Sequence, residues 1–236
     1  MQSLCHIINK ILPPKTVISL VGAGGKTSAL FKLGEYFKNQ YKIALTTTTH
    51  IYDPQNEKNR CFDTVISNFD INIIKDLKND EKDIVVLGAG KTKDDKLKGL
   101  KFDEIEALKE VFDLIIVEAD GAKKKALKAP DAHEPAVPPS SNIVIGVIGI
   151  NVLGKSLNQE NVHRPEIFSK ITNCQLNNAI TLDHIITLIN HKEGLFKNCP
   201  KDAVKIVFCN QSEGLSLEQK EYLETTLRPL IVSFFF

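Results

Sequence analysis

Val17-Ile18-Ser19-Leu20-Val21-Gly22-Ala23-Gly24-Gly25-Lys26-Thr27-Ser28 passes from an apolar, β-branched run into glycines and ends in Gly-Lys-Thr-Ser. Behind it, Leu30, Leu33, Phe37 and Tyr41 recur at the three-and-four spacing of a helix with one apolar face. A buried strand that turns through glycines into a helix is a built anion site. Glycine lets the backbone curl without a Cβ clash, several N–H groups then converge on one point, and the helix adds its positive end. The pattern predicts a phosphate loop for a nucleoside triphosphate, with Gly22, Ala23, Gly24, Gly25 and Ser28 forming the cradle. Lys26 would reach the β and γ phosphates and the Thr27 hydroxyl would ligate Mg²⁺. The full G-x-x-x-x-G-K-[ST] spacing would need glycine where Leu20 stands, so this is a shorter G-x-x-G-K-T loop that presents fewer amides.

Val85-Val86-Leu87-Gly88-Ala89-Gly90-Lys91-Thr92 repeats the strand-to-Gly-Lys-Thr pattern. The residues after it, Lys93 to Gly99, lack the apolar spacing of a packed helix, so no helix N-terminus would back the loop. A solvated loop is expected there.

Working outward, seven apolar runs suit buried parallel strands: Thr16 to Val21, Lys42 to Thr46, Ile84 to Leu87, Leu114 to Glu118, Asn142 to Ile148, Val204 to Cys209 and Leu230 to Phe234. Helical patterns alternate with them. An amphipathic helix is expected over Leu4 to Leu12, one carrying Ile105, Leu108 and Val111, one carrying Leu182, Ile185, Ile186 and Ile189, and a last one opened by the capping box Ser216-Leu217-Glu218-Gln219 and closed by Pro229. The alternation predicts an α/β fold, a P-loop NTPase-like three-layer sandwich with a mainly parallel, doubly wound sheet and ligands at the carboxyl edge of its strands. Residues 1–236 are read as a single such domain, because no linker or repeat divides them. The phenylalanines 234 to 236 read as the end of a core strand.

Thirty Lys and Arg against twenty-nine Asp and Glu leave no overall field that would favour nucleic acid. No apolar stretch is long enough to span a bilayer and no export signal is evident, so a cytoplasmic protein without a membrane role is expected. The five cysteines are scattered and odd in number, which suits buried reduced thiols.

Further residues carry chemistry. Leu114 to Glu118 runs on to Ala119, Asp120 and Gly121, delivering two carboxylates to the sheet edge in the manner of a Walker B element. Glu118 and Asp120 are two apart and share a face of an extended chain, so both are candidate Mg²⁺ ligands and catalytic groups. Thr46-Thr47-Thr48-Thr49-His50 exposes alternating hydroxyls past a strand end that could ligate Mg²⁺ or position an attacking water, with Thr49 the catalytic candidate among them, and His50 is a candidate substrate contact or base. The loop from Gly121 to Pro135 holds lysines that can neutralise phosphate, while Lys128, His133 and Glu134 are candidates for a second substrate. His163 and Arg164 form another cluster, with Arg164 suited to clamp an anion. Asn210 follows a buried strand where GTPases carry an N-K-x-D base reader, but Gln211 and Glu213 replace the Lys and Asp, so ATP stays as open as GTP.

Taken in order, V-G-A-G-G-K-T-S, T-T-T-T-H, V-E-A-D-G-A, L-K-A-P-D-A-H-E-P, V-H-R-P-E and I-T-L-D-H resemble the YqeC family of selenium-dependent hydroxylase accessory proteins, over about Val17 to Asn210. The resemblance implies a cytosolic P-loop protein that serves the maturation of selenium-dependent molybdenum hydroxylases, without supplying a reaction. Its partners would be a nucleoside triphosphate and a hydroxylase client or a selenium or molybdenum species. Three functions fit these motifs: an NTP-hydrolysing maturation factor, an ATP-dependent small-molecule kinase or ligase with the same loop, and a nucleotide-binding regulator that hydrolyses nothing.

Overall fold

The computed structural model describes residues 1–54, 61–76 and 83–235. In chain order its elements are α1 (Gln2–Ile11), β1 (Thr16–Gly22), α2 (Lys26–Phe37), β2 (Ile43–Thr47), β3 (His50–Tyr52), β4 (Thr64–Ile66), α3 (Ile71–Lys75), β5 (Ile84–Leu87), β6 (Lys96–Lys98) and α4 (Phe102–Ala107). They continue with β7 (Leu114–Glu118), β8 (Leu127–Lys128), β9 (Ile143–Gly149), β10 (Val162–His163), α5 (Pro165–Thr172), α6 (Leu182–Asn190), β11 (Val204–Asn210), α7 (Leu217–Thr226) and β12 (Ile231–Phe234).

Eight strands form one sheet in the order β12-β11-β9-β1-β7-β2-β5-β4. Every neighbouring pair in it is parallel. Parallel strands need crossover helices on both faces, and that covering buries β1, β7 and β9 from end to end. The alternation along β1 divides the layers. Ile18 and Leu20, with Leu114 and Ile116 of β7, pack under α1 and α2 through Leu4, Ile8, Leu30 and Leu33. Val17, Ile115 and Val117 meet Ile105 and Leu108 on the opposite face, where Val21 and Val144 meet Phe168 of α5 and Ile185 of α6. The result is the three-layer, doubly wound α/β sandwich that the sequence predicts.

The seven expected strands all form, with ends displaced by one residue at most. The eighth, β4, is three residues long and part-exposed at the sheet edge, too short for an apolar run to announce it. The capping box at Ser216 also forms, Ser216 Oγ accepting from Gln219 N at 3.2 Å and Gln219 Oε1 from Ser216 N at 3.0 Å. Phe234 and Phe235 are half-buried, and Phe236 lies outside the described residues.

The loop expected after the second Gly-Lys-Thr motif is part of a ribbon. β6 pairs antiparallel with β3, setting His50 opposite Lys98, Ile51 opposite Leu97 and Tyr52 opposite Lys96. Leu97 is fully buried and supplies the reason, since one apolar side chain suffices to dock a short strand whose partner is distant in sequence. α5, unforeseen beyond the charged cluster at its start, has Pro165 in its first turn, where the missing N–H costs nothing. Cys5, Cys174 and Cys209 are buried as expected, whereas Cys61 and Cys199 are half-buried. Among the described residues no helix is long and apolar enough to cross a membrane.

Phe168 is fully buried where α5 meets the sheet. Phe168→Ala should cost about 3–5 kcal/mol and lower the melting temperature by on the order of 10 °C in a chain of this size. A fall of less than about 3 °C in a calorimetric scan would refute the packing described for α5.

Candidate functional site

β1 ends in a bend that only glycine can make. Gly22, Gly24 and Gly25 have φ of +91°, +85° and +119°. A Cβ on Gly24 would stand 2.2 Å from the backbone N of Gly149, and one on Gly25 2.4 Å from the side-chain nitrogen of Asn210. Most of the loop's own amides are turned inward. Gly22 N donates to Asp120 Oδ2 at 3.0 Å, Ala23 N to the Val147 carbonyl at 2.9 Å and Gly24 N to the Lys125 carbonyl at 3.0 Å. The expectation that these three amides converge on a ligand therefore does not describe this loop. They fasten it instead to β9 and to the segment that follows β7. The donors that face outward belong to the first turn of α2, whose N–H groups have no carbonyl a turn earlier, until Ala29 N bonds back to Gly25 O at 2.9 Å.

Around the bend lies a chain of alternating charges, buried at Lys26, Glu118, Asp120 and Lys128 and half-buried at Glu134 and Arg164. Lys26 Nζ donates to the Gly22 carbonyl at 2.6 Å and stands 3.0 Å from Asp120 Oδ1 and 3.8 Å from Glu118 Oε1. Asp120 Oδ1 is an ion-pair contact only, out of line for a hydrogen bond. Lys128 Nζ sits 3.1 Å from Asp120 Oδ2 and donates to the Gly121 carbonyl at 2.6 Å, with Glu134 Oε2 also at 2.6 Å. Arg164 continues the chain with a two-pronged grip on Glu134, Nη1 to Oε2 at 2.5 Å and Nη2 to Oε1 at 3.2 Å, and its Nε stands 3.4 Å from Oδ2 of the exposed Asp131. Three cations thus alternate with Glu118, Asp120 and Glu134, so the buried charge is balanced.

The electrostatics follow from this packing. Burial pushes the Glu118 carboxyl up from its ordinary value, against the pull of Lys26 and a hydrogen bond from Thr27. Burial would also raise Glu134, but the hydrogen bonds from Arg164 and Lys128 overcome it and hold that carboxyl down at about 2. Burial, with the nearby Arg164 and Lys128 cations, lowers His163 to about 4.

The loop opens into a cleft of about 2110 Å³ at the carboxyl edge of the sheet. Thr27 and Glu118 meet there, the hydroxyl donating to Glu118 Oε2 at 2.8 Å, which makes a pair of hard oxygen donors. Asp120, expected beside Glu118 as a second ligand, is 1% exposed and held by two lysines and the Gly22 amide, which leaves Glu118 as the cleft's carboxylate on β7. The threonine tract divides in two. Thr46 and Thr47 are buried and give their hydroxyls to the Leu87 and Glu118 carbonyls at 2.9 and 2.7 Å, while Thr48, Thr49 and His50 line the cleft. Lys128, expected to meet a substrate, is 2% exposed within the ion chain, and His133 is exposed without lining the cleft. Glu134, His163 and Arg164 do line it. Asn210 reaches the loop as a clamp, its amide donating to the Gly24 carbonyl at 2.7 Å. An apolar wall of Phe31 and Phe62, rings 5.9 Å apart, was not legible in the sequence, because the two meet only through the fold.

The model of the YqeC protein family matches residues 18–166, which span the glycine loop, β7 and Arg164. A curated relative from Escherichia coli (strain K12), the uncharacterised protein YqeC, is 36% identical over 199 residues, covering 83% of this chain and 76% of that protein. No solved structure matches.

The depressed Glu134 carboxyl has a stability consequence. Its folded value, about 2, lies below the ordinary 4.5, so its contribution is complete above pH 4.5 and disappears as the pH falls from there towards 2. Glu134→Gln should lower the melting temperature at pH 7 by about 5–10 °C, since Lys128 and Arg164 lose their shared anion. The variant's melting temperature should then fall less steeply than the wild type's across that acid window. Parallel melting curves for the two proteins from pH 5 to pH 2 would refute the assignment.

Proposed function

This chain belongs to the YqeC family, and from that membership and the geometry around Lys26 we propose that it binds a nucleoside triphosphate with Mg²⁺ and cleaves the terminal phosphate in the maturation of a selenium-dependent molybdenum hydroxylase. The observation that carries the reading is the meeting of Thr27, at the start of a helix behind a glycine bend, with Glu118 on the strand next to β1. A helix N-terminus with free amides, an ammonium and an oxygen-donor pair is the equipment that phosphate with a divalent cation requires.

The donor set suits Mg²⁺. That ion takes only one or two protein oxygens and completes its shell with phosphates and water. Among the described residues no group of three or more His, Cys, Asp or Glu could hold a metal by itself, so a site shared with a ligand is the kind this chain could build. Thr27 and Glu118 would hold the ion, which would neutralise charge developing on the phosphoryl oxygens. The amides of Gly25 to Ser28 would orient the phosphates. Lys26 would leave the Gly22 carbonyl and Asp120 to meet them, and Asp120 would keep Lys128 as its partner. Thr49, on the cleft wall and 3.3 Å from the Thr47 hydroxyl that donates to the Glu118 carbonyl, would position the attacking water or acceptor hydroxyl.

A second reading, transfer of the phosphoryl group to a small acceptor by a kinase or ligase, is favoured by the cleft itself. Its volume of about 2110 Å³ exceeds the roughly 300–1,000 Å³ that one small ligand fills.

Lys26→Ala should weaken binding of Mg²⁺–ATP or Mg²⁺–GTP by roughly 100-fold. Thr27→Ala and Glu118→Gln should instead cut Mg²⁺-dependent turnover by roughly 10- to 100-fold while leaving metal-free nucleotide binding nearly intact. Calorimetry and phosphate release, with circular dichroism as the folding control, measure both. Absence of binding heat from the wild type with any purine triphosphate and Mg²⁺ would overturn the proposal.

A further inference from the structure

The β3–β6 ribbon lies on the same cleft as the glycine loop and takes no part in the reading above. Its two faces differ sharply. Ile51 and Leu97, opposite one another, are 3% and 0% exposed and root the ribbon in the core. Period-two alternation places His50, Tyr52, Lys96 and Lys98 together on the other face, and all four line the cleft. The Lys96 ammonium lies 4.9 Å from the centre of the Tyr52 ring, and so does the ammonium of Lys124, which comes from the loop after β7.

Among the described residues Lys96, Lys98, Lys123, Lys124 and Lys125 make no ion pair with a carboxylate, whereas two of the cleft's three glutamates, Glu118 and Glu134, are already matched to Lys26, Lys128 and Arg164. The cleft therefore keeps a concentrated positive charge in a chain whose net charge is only +1. The ribbon is also held in place by a lock. Lys91, from the second Gly-Lys-Thr motif, pairs with Asp53 at 2.5 Å, and Asp53 N donates to the Asp95 carbonyl at 3.2 Å. That motif thus serves to anchor a platform. The platform is close to the glycine loop through the lysine segment, because the Lys125 carbonyl, next to Lys124, accepts from Gly24 N at 3.0 Å.

We propose that Tyr52, Lys96, Lys98 and Lys124 form a second anion site, separate from the α2 N-terminus, which takes a phosphate monoester or a similarly compact organic dianion. In the terms of the second reading above, on which its role as acceptor site rests, this is where the cosubstrate's anionic group is held while another part of it faces the terminal phosphate. Paired ammonium groups on a fixed ribbon suit a compact oxyanion.

Phenyl phosphate is the probe, with neutral benzyl alcohol as the size control, and calorimetry of the whole chain is the measurement. Wild type and Lys26→Ala should bind phenyl phosphate with equal affinity and ignore benzyl alcohol. The double variant Lys96→Glu with Lys124→Glu should lose at least about tenfold in phenyl phosphate affinity, and the milder pair Lys96→Gln with Lys124→Gln should lose less. Both should keep Mg²⁺–ATP affinity within about threefold of wild type. Should Lys26→Ala unfold, wild type saturated with Mg²⁺ and a non-hydrolysable ATP analogue answers the same question. The site is refuted if wild type does not bind phenyl phosphate, if the lysine variants bind it like wild type, or if Lys26→Ala or the bound analogue abolishes binding. It is equally refuted if the lysine variants lose Mg²⁺–ATP in parallel, since the lysines would then serve the nucleotide's own phosphates. If no nucleotide binds while phenyl phosphate still depends on Lys96 and Lys124, the proposed function fails and the second anion site stands.

Discussion

Asp120 sits between two lysines in a place nearly closed to water, and the rest of the site is arranged around that contact. A lone buried carboxylate would be strongly unfavourable, so its position is tolerable only with Lys26 on one side, Lys128 on the other and the Gly22 amide donating to it. Each partner comes from a different element. Gly22 ends β1, Lys26 opens α2, and Lys128 lies in β8, which pairs with β10 just before Arg164. One carboxylate thereby fixes the bend, the helix start and the loop after β7 in a single arrangement. Glu134 repeats the device one step further out, joining Lys128 to Arg164 and so tying the N-terminus of α5 to the same chain of charges.

Close packing adds a second constraint to this electrostatic one. The bend is pressed between the end of β9 and Ala126, so tightly that a methyl group at Gly24 would collide with backbone on both sides. Its inward amides are used in holding that approach. The free donors are pushed to the first turn of α2, and the cleft opens beside Thr27 and Glu118. Rigidity at the bend and an open wall opposite are two results of the same crowding.

Charge tells a similar story at two scales. Over the whole chain acidic and basic residues almost cancel, and composition alone argues against a polyanion surface. The fold separates what composition averages. It buries the matched charges in the ion chain and gathers along the cleft lysines from β6 and the loop after β7 that pair with no carboxylate among the described residues.

The amino-acid sequence by itself determined the layers, the seven principal strands, the glycine bend and the family. Those features are local, because buried β-branched runs, helical spacing and glycines ahead of Lys26 and Thr27 write themselves into neighbouring residues. Glu118 was legible for the same reason, at the end of an apolar strand. Tertiary structure decided what each polar group faces. Glu118 and Asp120 are indistinguishable by spacing, yet one meets Thr27 at the cleft and the other is consumed by lysines. Lys128 looked like a substrate contact and is an internal cation, while Lys96, read as part of a solvated loop, and Tyr52, not singled out in sequence, meet across an antiparallel pairing on the cleft wall. The physical reason is that the partner of a buried charge, and the register of a short strand, are set by residues dozens of positions away, where no local pattern can record them.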